Sequence, residues 1–227
     1  MSTAKTNYKY LDILVVLFVA SLIVSNIVAT KLISFGPIIV DGGAVLFPFL
    51  YILGDIITEV YGFKYARRAI WLGFGTMILA VVCITIVGFL PPAVAYGHQL
   101  AYETVLGFVP RIVLASLMAY LVGGLLNSYI LVKIKQKTKG KKLWLRLLGS
   151  TAIGELFDTV VFCLIAFGGI ISNSEMFIYI GVGWVFKNLV EVAALPLCYR
   201  VISILKRREN TDSDDKKTNF NPFKISV

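Results

Sequence analysis

The sequence has few charged residues. Only 15% of its 227 residues are Asp, Glu, Lys or Arg, whereas soluble domains carry about 25%. Hydrophobic residues make up 58% of the chain, and the mean hydropathy is +0.82. This composition argues against an ordinary soluble enzyme and favours a membrane protein with several spans.

Cysteine is also scarce. Cys83, Cys163 and Cys198 each lie within an apolar stretch, and their spacing suits neither a metal site nor a disulfide framework. We therefore predict that they are small core hydrophobes, and that the protein holds no metal and no cofactor. The chain has no Walker A sequence, so it hydrolyses no ATP by itself.

Six apolar stretches are long enough to cross the ~30 Å hydrocarbon layer as helices. They cover residues 11–31, 44–61, 69–90, 111–132, 147–171 and 177–205. The first is too long for the apolar core of a signal peptide and lacks a cleavage site, so we expect it to be retained. The sequence thus predicts an all-α integral membrane protein, with a six-helix domain over 1–208 and a polar, disordered tail over 209–227.

The basic residues indicate the orientation of these spans. The net charge is +9, and nearly all of the 22 Lys and Arg residues lie in the connections on one side of the predicted membrane. By the positive-inside rule, both termini are predicted to be cytoplasmic. Because the charges follow the loops and form no stripe, we expect the lipid bilayer as a partner and no nucleic acid.

Six ionisable residues within the predicted spans are the informative ones. They are Asp55, Glu59, Glu155, Asp158, Lys187 and Glu191. Each ionised residue costs ~2.5–3.5 kcal/mol at the membrane centre, so these side chains should face inward. They form three pairs, one in each of three spans, whose members are three or four residues apart. This spacing places the two members of a pair on one helix face.

The charges allow two interpretations. One lysine cannot neutralise several carboxylates, so the cluster can hold a coupling proton or sodium ion. Alternatively, Lys187 forms a salt bridge with Asp158 or Glu155 that only fixes helix packing. Two further candidates are polar. Asn26 can cross-link helices or contact a ligand, and Arg111 can snorkel or supply a fixed positive charge at the cavity mouth.

Two short matches suggest internal symmetry. Gly54-Asp55 in the second span and Gly154-Glu155 in the fifth occupy corresponding places in the two halves. Because each half has three spans, the halves would lie in opposite orientations. This pattern favours a 3+3 inverted repeat with a site near the membrane midplane.

Several motifs together resemble a known family. They are Ser25-Asn26, Phe47-Pro48-Phe49 followed by Asp55, Tyr61-Gly62, Ala66-Arg67-Arg68, Arg111, the run from Ala115 to Leu121, Ser150-Thr151, Gly154, Asp158-Thr159, Phe186-Lys187 and Pro196. Over about residues 10–205 the chain resembles the vitamin uptake transporter family, the bacterial queuosine precursor transporters. Glu59 stands where some members carry a basic residue, and Asn127 where some carry Asp.

The resemblance implies a multi-pass transporter in the bacterial plasma (inner) membrane. Its cargo would be a 7-deazaguanine base, the aminomethyl or cyano precursor of queuosine or queuine itself, taken up for queuosine salvage in tRNA modification. One carboxylate can accept both the ring N–H and the exocyclic amine of such a base. A second carboxylate suits a cationic arm, whereas a cyano arm gains nothing from it. Phe49, Tyr51 or Phe186 could stack on the flat base.

The candidate substrate-binding residues form one set. They are Asn26, Phe49, Asp55, Glu59, Arg111, Glu155, Asp158, Lys187 and Glu191. We predict a transporter and no enzyme activity.

Three alternatives to a carrier working alone stay open. The chain could be the substrate-binding subunit of an energy-coupling-factor-type importer, docking an ATPase through the small residues Ser21, Ser25 and Ala29. It could be a channel, although a lysine among carboxylates has no evident role there. It could also be an intramembrane aspartyl protease using Asp55 and Asp158, but the first glycine of the Gly-x-Gly-Asp motif is missing.

Overall fold

A computed structural model describes residues 8–36, 38–137 and 143–210, and most of them are helical. The elements are α1 Leu11–Val28, β1 Leu32–Phe35, β2 Ile38–Asp41, α2 Phe47–Tyr61, α3 Phe63–Phe89, α4 Gln99–Leu106, α5 Val109–Lys137, α6 Leu143–Phe167 and α7 Asn173–Glu209. Each of the six predicted spans coincides with one helix. The short helix α4 and the two strands were not predicted.

Four stretches of the described residues are long and apolar enough to cross a membrane. They are Leu11–Val28, Phe63–Phe89, Gln99–Gly123 and Asn173–Ala194. These helices agree with the prediction of a mostly helical membrane protein, while six crossings stay a prediction. With 15 residues, α2 is only about 22 Å long, and α6 carries Glu155 and Asp158 within its length.

Small residues bring α5 and α6 together in the most extensive helix contact of the structure. A Cβ atom on Gly123 of α5 would lie 2.7 Å from Cβ of Asp158 and 2.8 Å from the carbonyl oxygen of Gly154. Only glycine fits at such a crossing, where backbones approach closely. This contact fixes the position of Asp158 against α5.

The two strands form an antiparallel hairpin between α1 and α2. Leu32 pairs with Asp41, and Phe35 pairs with Ile38. β-branched residues in β2 favour the extended backbone, and the left-handed φ of +62° at Gly36 suits glycine at the turn. The all-α prediction missed this hairpin because its strands are only four residues long.

The hairpin ends against α1. The amide of Gly42 donates a hydrogen bond of 2.8 Å to the carbonyl of Lys31, and a Cβ atom on Gly42 would collide with the carbonyl oxygen of Val28. A single 3-10 turn, Gly42–Val45, then leads into α2. The carboxyl end of β2 is thereby held in the interior of the helix bundle.

The last helix ends beside the start of the first. Glu209 accepts hydrogen bonds from the backbone N–H groups of Lys9 (3.0 Å) and Tyr10 (2.8 Å) and from the hydroxyl of Tyr61 (3.0 Å). The carboxylate thus satisfies donors at the N-terminus of α1. Helix α7 extends one residue into the predicted tail, and residues 211–227 lie outside the described residues, so their disorder stays a prediction.

The three cysteines form no disulfide. Cys163 and Cys198 are buried, as predicted, but Cys83 is exposed, so its predicted core position is wrong. The reason lies in the neighbouring turns of α3, where Leu79 and Ile86 are exposed as well. Residues at this spacing share one helix face, and this face of α3 is apolar and exposed.

Candidate functional site

A cavity of about 300 Å³ lies among six helices and the end of the hairpin. Small-molecule sites typically measure about 300–1,000 Å³, so this cavity suits a compact ligand. Its polar lining consists of Ser25, Asn26, Asp41, Thr58, Ser116, Tyr120, Asp158 and Lys187. Four phenylalanine rings, Phe18, Phe47, Phe74 and Phe162, also line it.

An ion pair between α6 and α7 faces this cavity. Lys187 Nζ lies 2.7 Å from Asp158 Oδ2, and the two side chains are 8% and 30% exposed, respectively. The ammonium also lies 5.1 Å from the centroid of the Phe47 ring, within the range of a cation–π contact. The predicted salt bridge of Lys187 with Asp158 is therefore confirmed. Asp158 is the more exposed partner, so a ligand can reach its carboxylate.

A second polar contact joins α1 to α5. The hydroxyl of Ser116 donates to Asn26 Oδ1 at 2.7 Å, and Asn26 Nδ2 donates to the carbonyl of Leu22 at 2.8 Å. Asn26 thus cross-links helices, which is one of the two predicted roles. An amide nitrogen has two hydrogens, and the second can serve a ligand in the cavity.

Asp41, at the end of β2, is an acidic wall residue that sequence reasoning missed. It is 4% exposed, and its Oδ2 accepts a hydrogen bond of 2.6 Å from the Tyr179 hydroxyl. The amides of Gly43 and Ala44 lie near the carboxylate, yet Oδ1 makes no hydrogen bond of normal geometry with the described residues. The sequence signal was an acid before two glycines, which we interpreted only as the boundary of a span.

A smaller cavity of about 20 Å³ adjoins the main one between the hairpin, α6 and α7. Asp41 and Lys187 line both cavities. Thr159, buried on α6, lines the smaller cavity, and its hydroxyl has no hydrogen-bond partner among the described residues. The two charged side chains therefore stand where the cavities meet.

Two predicted acids cannot be placed on the cavity wall. Glu155 is buried on α6 but does not line the cavity. Asp55 lies in α2 directly after the cavity-lining Gly54, but its side chain is outside the described part of the chain.

Other predicted site residues lie away from the cavity. Glu59 is exposed and pairs with Lys206 at 2.8 Å, and Glu191 on α7 does not line the wall. Arg111 donates from Nε to the carbonyl of Ile165 at 2.7 Å and from Nη2 to the carbonyl of Gly168. The guanidinium thus satisfies carbonyl groups at the C-terminal end of α6.

The aromatic residues of the site differ from those predicted for stacking. Phe49 is 41% exposed and does not line the cavity, whereas Phe47 does. Phe186 borders the smaller cavity only. The side chain of Tyr51 lies outside the described residues. Sequence alone did not show which face of the short helix α2 turns inward.

The part of the chain that the structure describes contains no group of three or more His, Cys, Asp or Glu side chains that could bind a metal ion. The carboxylates on the cavity wall face an ammonium group and a tyrosine hydroxyl. The described residues of the wall can therefore bind a ligand through hydrogen bonds and ion pairs.

Comparison with known proteins places the chain in a family. Residues 41–201 match the family model described as "Putative vitamin uptake transporter". This chain belongs to the vitamin uptake transporter family. The match begins at Asp41 and includes Asp158 and Lys187, while Asn26 precedes it.

Curated relatives carry a more specific name. The chain is 33% identical to a "Probable queuosine precursor transporter" of Bacillus subtilis (strain 168), over 74% of each chain. It is 27% identical to the "Queuosine precursor transporter" of Escherichia coli (strain K12), over 70% of this chain and 65% of the relative. These relatives are named as transporters, which agrees with the prediction that the chain is not an enzyme. No solved structure matches this family member.

Proposed function

We propose that the protein imports 7-deazaguanine precursors of queuosine across the bacterial plasma membrane, for queuosine salvage in tRNA modification. The observation that carries this proposal is the 33% identity, over 74% of both chains, to a relative named for this transport. The cavity enclosed by six helices supports it, since a carrier needs an internal site for one small molecule.

We infer that α1, α2, α3, α5, α6 and α7 cross the membrane. The contact between Glu209 and the start of α1 supports this topology, because an even number of crossings brings both ends of the bundle to one side. The basic connections make that side the cytoplasm. A 3+3 inverted repeat would then relate α1–α3 to α5–α7, with Gly54 and Gly154 in corresponding places.

Asp158 is the carboxylate that best suits the base edge. It lines the cavity, and 30% of its side chain is exposed. A carboxylate can accept both the ring N–H and the exocyclic amine of a guanine-like base. Asn26 supplies a donor across the cavity, and Lys187 orients Asp158.

The other predicted residues receive different assignments. Asp55 stays a proposed ligand residue because its neighbour Gly54 lines the cavity. We assign Arg111 and Glu59 to helix contacts, since both have partners outside the cavity. We now assign the aromatic contacts with the base to Phe47 and the other rings of the cavity wall, in place of Phe49.

Uptake in cells tests the proposed function. The host should be unable to make queuosine precursors or to import them otherwise, and it receives labelled aminomethyl-deazaguanine, cyano-deazaguanine or queuine. We expect protein-dependent uptake of at least one of these compounds. Uptake of none of them, with the protein shown to be in the membrane, contradicts the proposal.

Variants and an uncoupler refine this experiment. Asp158→Asn should abolish uptake and leave membrane insertion intact. Asp12→Asn is the matched control, since Asp12 is exposed at the start of α1 and does not line the cavity. Loss of uptake with a proton uncoupler, repeated in energised vesicles, distinguishes proton coupling from sodium coupling or an ATPase partner.

A further inference from the structure

The smaller cavity beside the main one is close to the size of one water molecule. Its volume is about 20 Å³, and about 10–15 Å³ of such space is enough for one water. A buried cavity of this size binds water where polar groups line it, whereas a purely apolar cavity stays dry. The polarity of the lining therefore decides what the cavity can hold.

Two buried side chains bring polar atoms to this cavity. Thr159 on α6 is 3% exposed, Asp41 at the end of β2 is 4% exposed, and both line the cavity. Neither the Thr159 hydroxyl nor Asp41 Oδ1 makes a hydrogen bond of normal geometry with the described residues. Buried polar atoms of folded proteins nearly always have a partner, either in the protein or in ordered water. These two atoms therefore indicate a ligand that hydrogen-bonds to both.

Lys187 adds a third polar group from α7. Its side chain lines the smaller cavity as well as the main one, and its Nζ lies 2.7 Å from Asp158 Oδ2. A lysine ammonium has three hydrogens, so it can serve Asp158 and also donate into the smaller cavity. The cavity thus joins polar groups from the hairpin, α6 and α7.

We propose that the smaller cavity binds one water molecule, which links Asp41, Thr159 and Lys187. A buried water typically makes about three hydrogen bonds, and these three residues can supply them. Water both donates and accepts, so it serves Asp41 Oδ1 whether the carboxyl group is ionised or protonated. A metal cation suits the site less well, because the ammonium of Lys187 lies on the same wall and like charges repel.

Thr159→Val tests the water through protein stability. Valine has nearly the shape of threonine but no hydroxyl, so the variant deprives the water of one hydrogen bond. We expect the midpoint of thermal unfolding in detergent to fall by about 2–4 °C. If the cavity were dry, the same change would remove an unpaired buried hydroxyl and raise the midpoint. An unchanged or raised midpoint therefore overturns the proposal.

Thr104→Val on α4 is the matched control. Thr104 is exposed, and its hydroxyl donates to the carbonyl of Leu100 at 2.7 Å within the same helix. This variant makes the same chemical change in a helix that solvent can reach. Its midpoint should shift much less than that of Thr159→Val.

A structure of the full chain at a resolution that shows water provides the direct test. We expect one density peak in the smaller cavity, within about 2.5–3.0 Å of both Asp41 Oδ1 and Thr159 Oγ1. A well-resolved cavity without a peak overturns the proposal. A cation is distinguished by comparing the unfolding midpoint in sodium chloride and in choline chloride at equal ionic strength. A midpoint that is higher in sodium for the wild type, but not for Thr159→Val, would assign the site to the cation and overturn the water.

Discussion

Tyr179 on α7 donates a hydrogen bond of 2.6 Å to Asp41 at the end of the hairpin. Both side chains are buried. The bond ties the segment between α1 and α2 to the helix that carries Lys187. One wall of the cavity is thus held in place by a contact between residues far apart in the sequence.

Removing this hydroxyl should loosen the hairpin. Losing one partner of a buried hydrogen bond costs about 1–3 kcal/mol, so Tyr179→Phe should lower the midpoint of thermal unfolding in detergent by several degrees. Tyr199→Phe on the same helix is the matched control, because Tyr199 is exposed. Equal unfolding midpoints for the two variants would show that the Asp41 contact is not stabilising.

Replacing one partner of the Asp158–Lys187 ion pair should destabilise the protein more than replacing both partners. Asp158→Asn deprives a buried ammonium of its 2.7 Å partner, which we expect to destabilise the protein by about 1–3 kcal/mol. The double variant with Lys187→Met should regain stability without regaining uptake. Thermal unfolding and uptake measured on the same preparations separate the two effects. Recovery of uptake in the double variant would remove both residues from the binding site.

Gly123 should tolerate no larger side chain. A methyl group there would meet both Asp158 and the backbone of Gly154, so Gly123→Ala should push α6 outward and reduce uptake strongly. Overpacking of this kind costs about 1–3 kcal/mol. Gly75→Ala on α3 provides the comparison, because nothing lies within 4 Å of its added Cβ. Normal uptake by Gly123→Ala would mean that the helices adjust without moving the acid.

Glu209 should contribute stability that depends on pH. It lies beyond the apolar stretch of α7. Partial burial acts to raise its pKa, but hydrogen bonds from the backbone of Lys9 and Tyr10 and from Tyr61 outweigh this effect and lower the pKa from its ordinary value of 4.5. A lowered pKa means that the stabilisation is complete above 4.5 and is lost as the pH falls through the folded-state value.

The matching measurement is a pH series of thermal unfolding for the wild type and Glu209→Gln. The variant should unfold at a lower temperature at pH 7, and the difference should vanish in acid. A difference that persists at low pH would show that the contact acts through packing and not through the charge. Glu103→Gln, an exposed acid on α4, controls for general loss of charge.

Much of the fold could be predicted because a helix that crosses a bilayer needs a long apolar run, which is easy to recognise in the sequence. Long apolar runs separated by basic connections located all the principal helices, although α3 begins at Phe63 rather than at residue 69. The hairpin could not be predicted in this way. Its four-residue strands are too short to show a period, and its position depends on long-range contacts such as that of Asp41 with Tyr179.

The site was predicted in part for a related reason. Asp158 and Lys187 were found because charge inside an apolar run is costly and must have a partner. Glu59 looked equivalent by that criterion, yet it lies near the end of α2 and pairs with Lys206 on α7. Helix spacing shows which residues share a face, but only packing shows which face turns inward.

The contact of Glu209 with Lys9 and Tyr10 has a consequence for the connectivity of the chain. Because the helical body starts and ends at the same place, the order of its helices along the chain is not needed to hold them together. A short covalent link between the two ends could close the chain, and new termini could open within the exposed segment 91–98. Such circular permutation is tolerated where termini lie close together and the cut falls in an exposed loop.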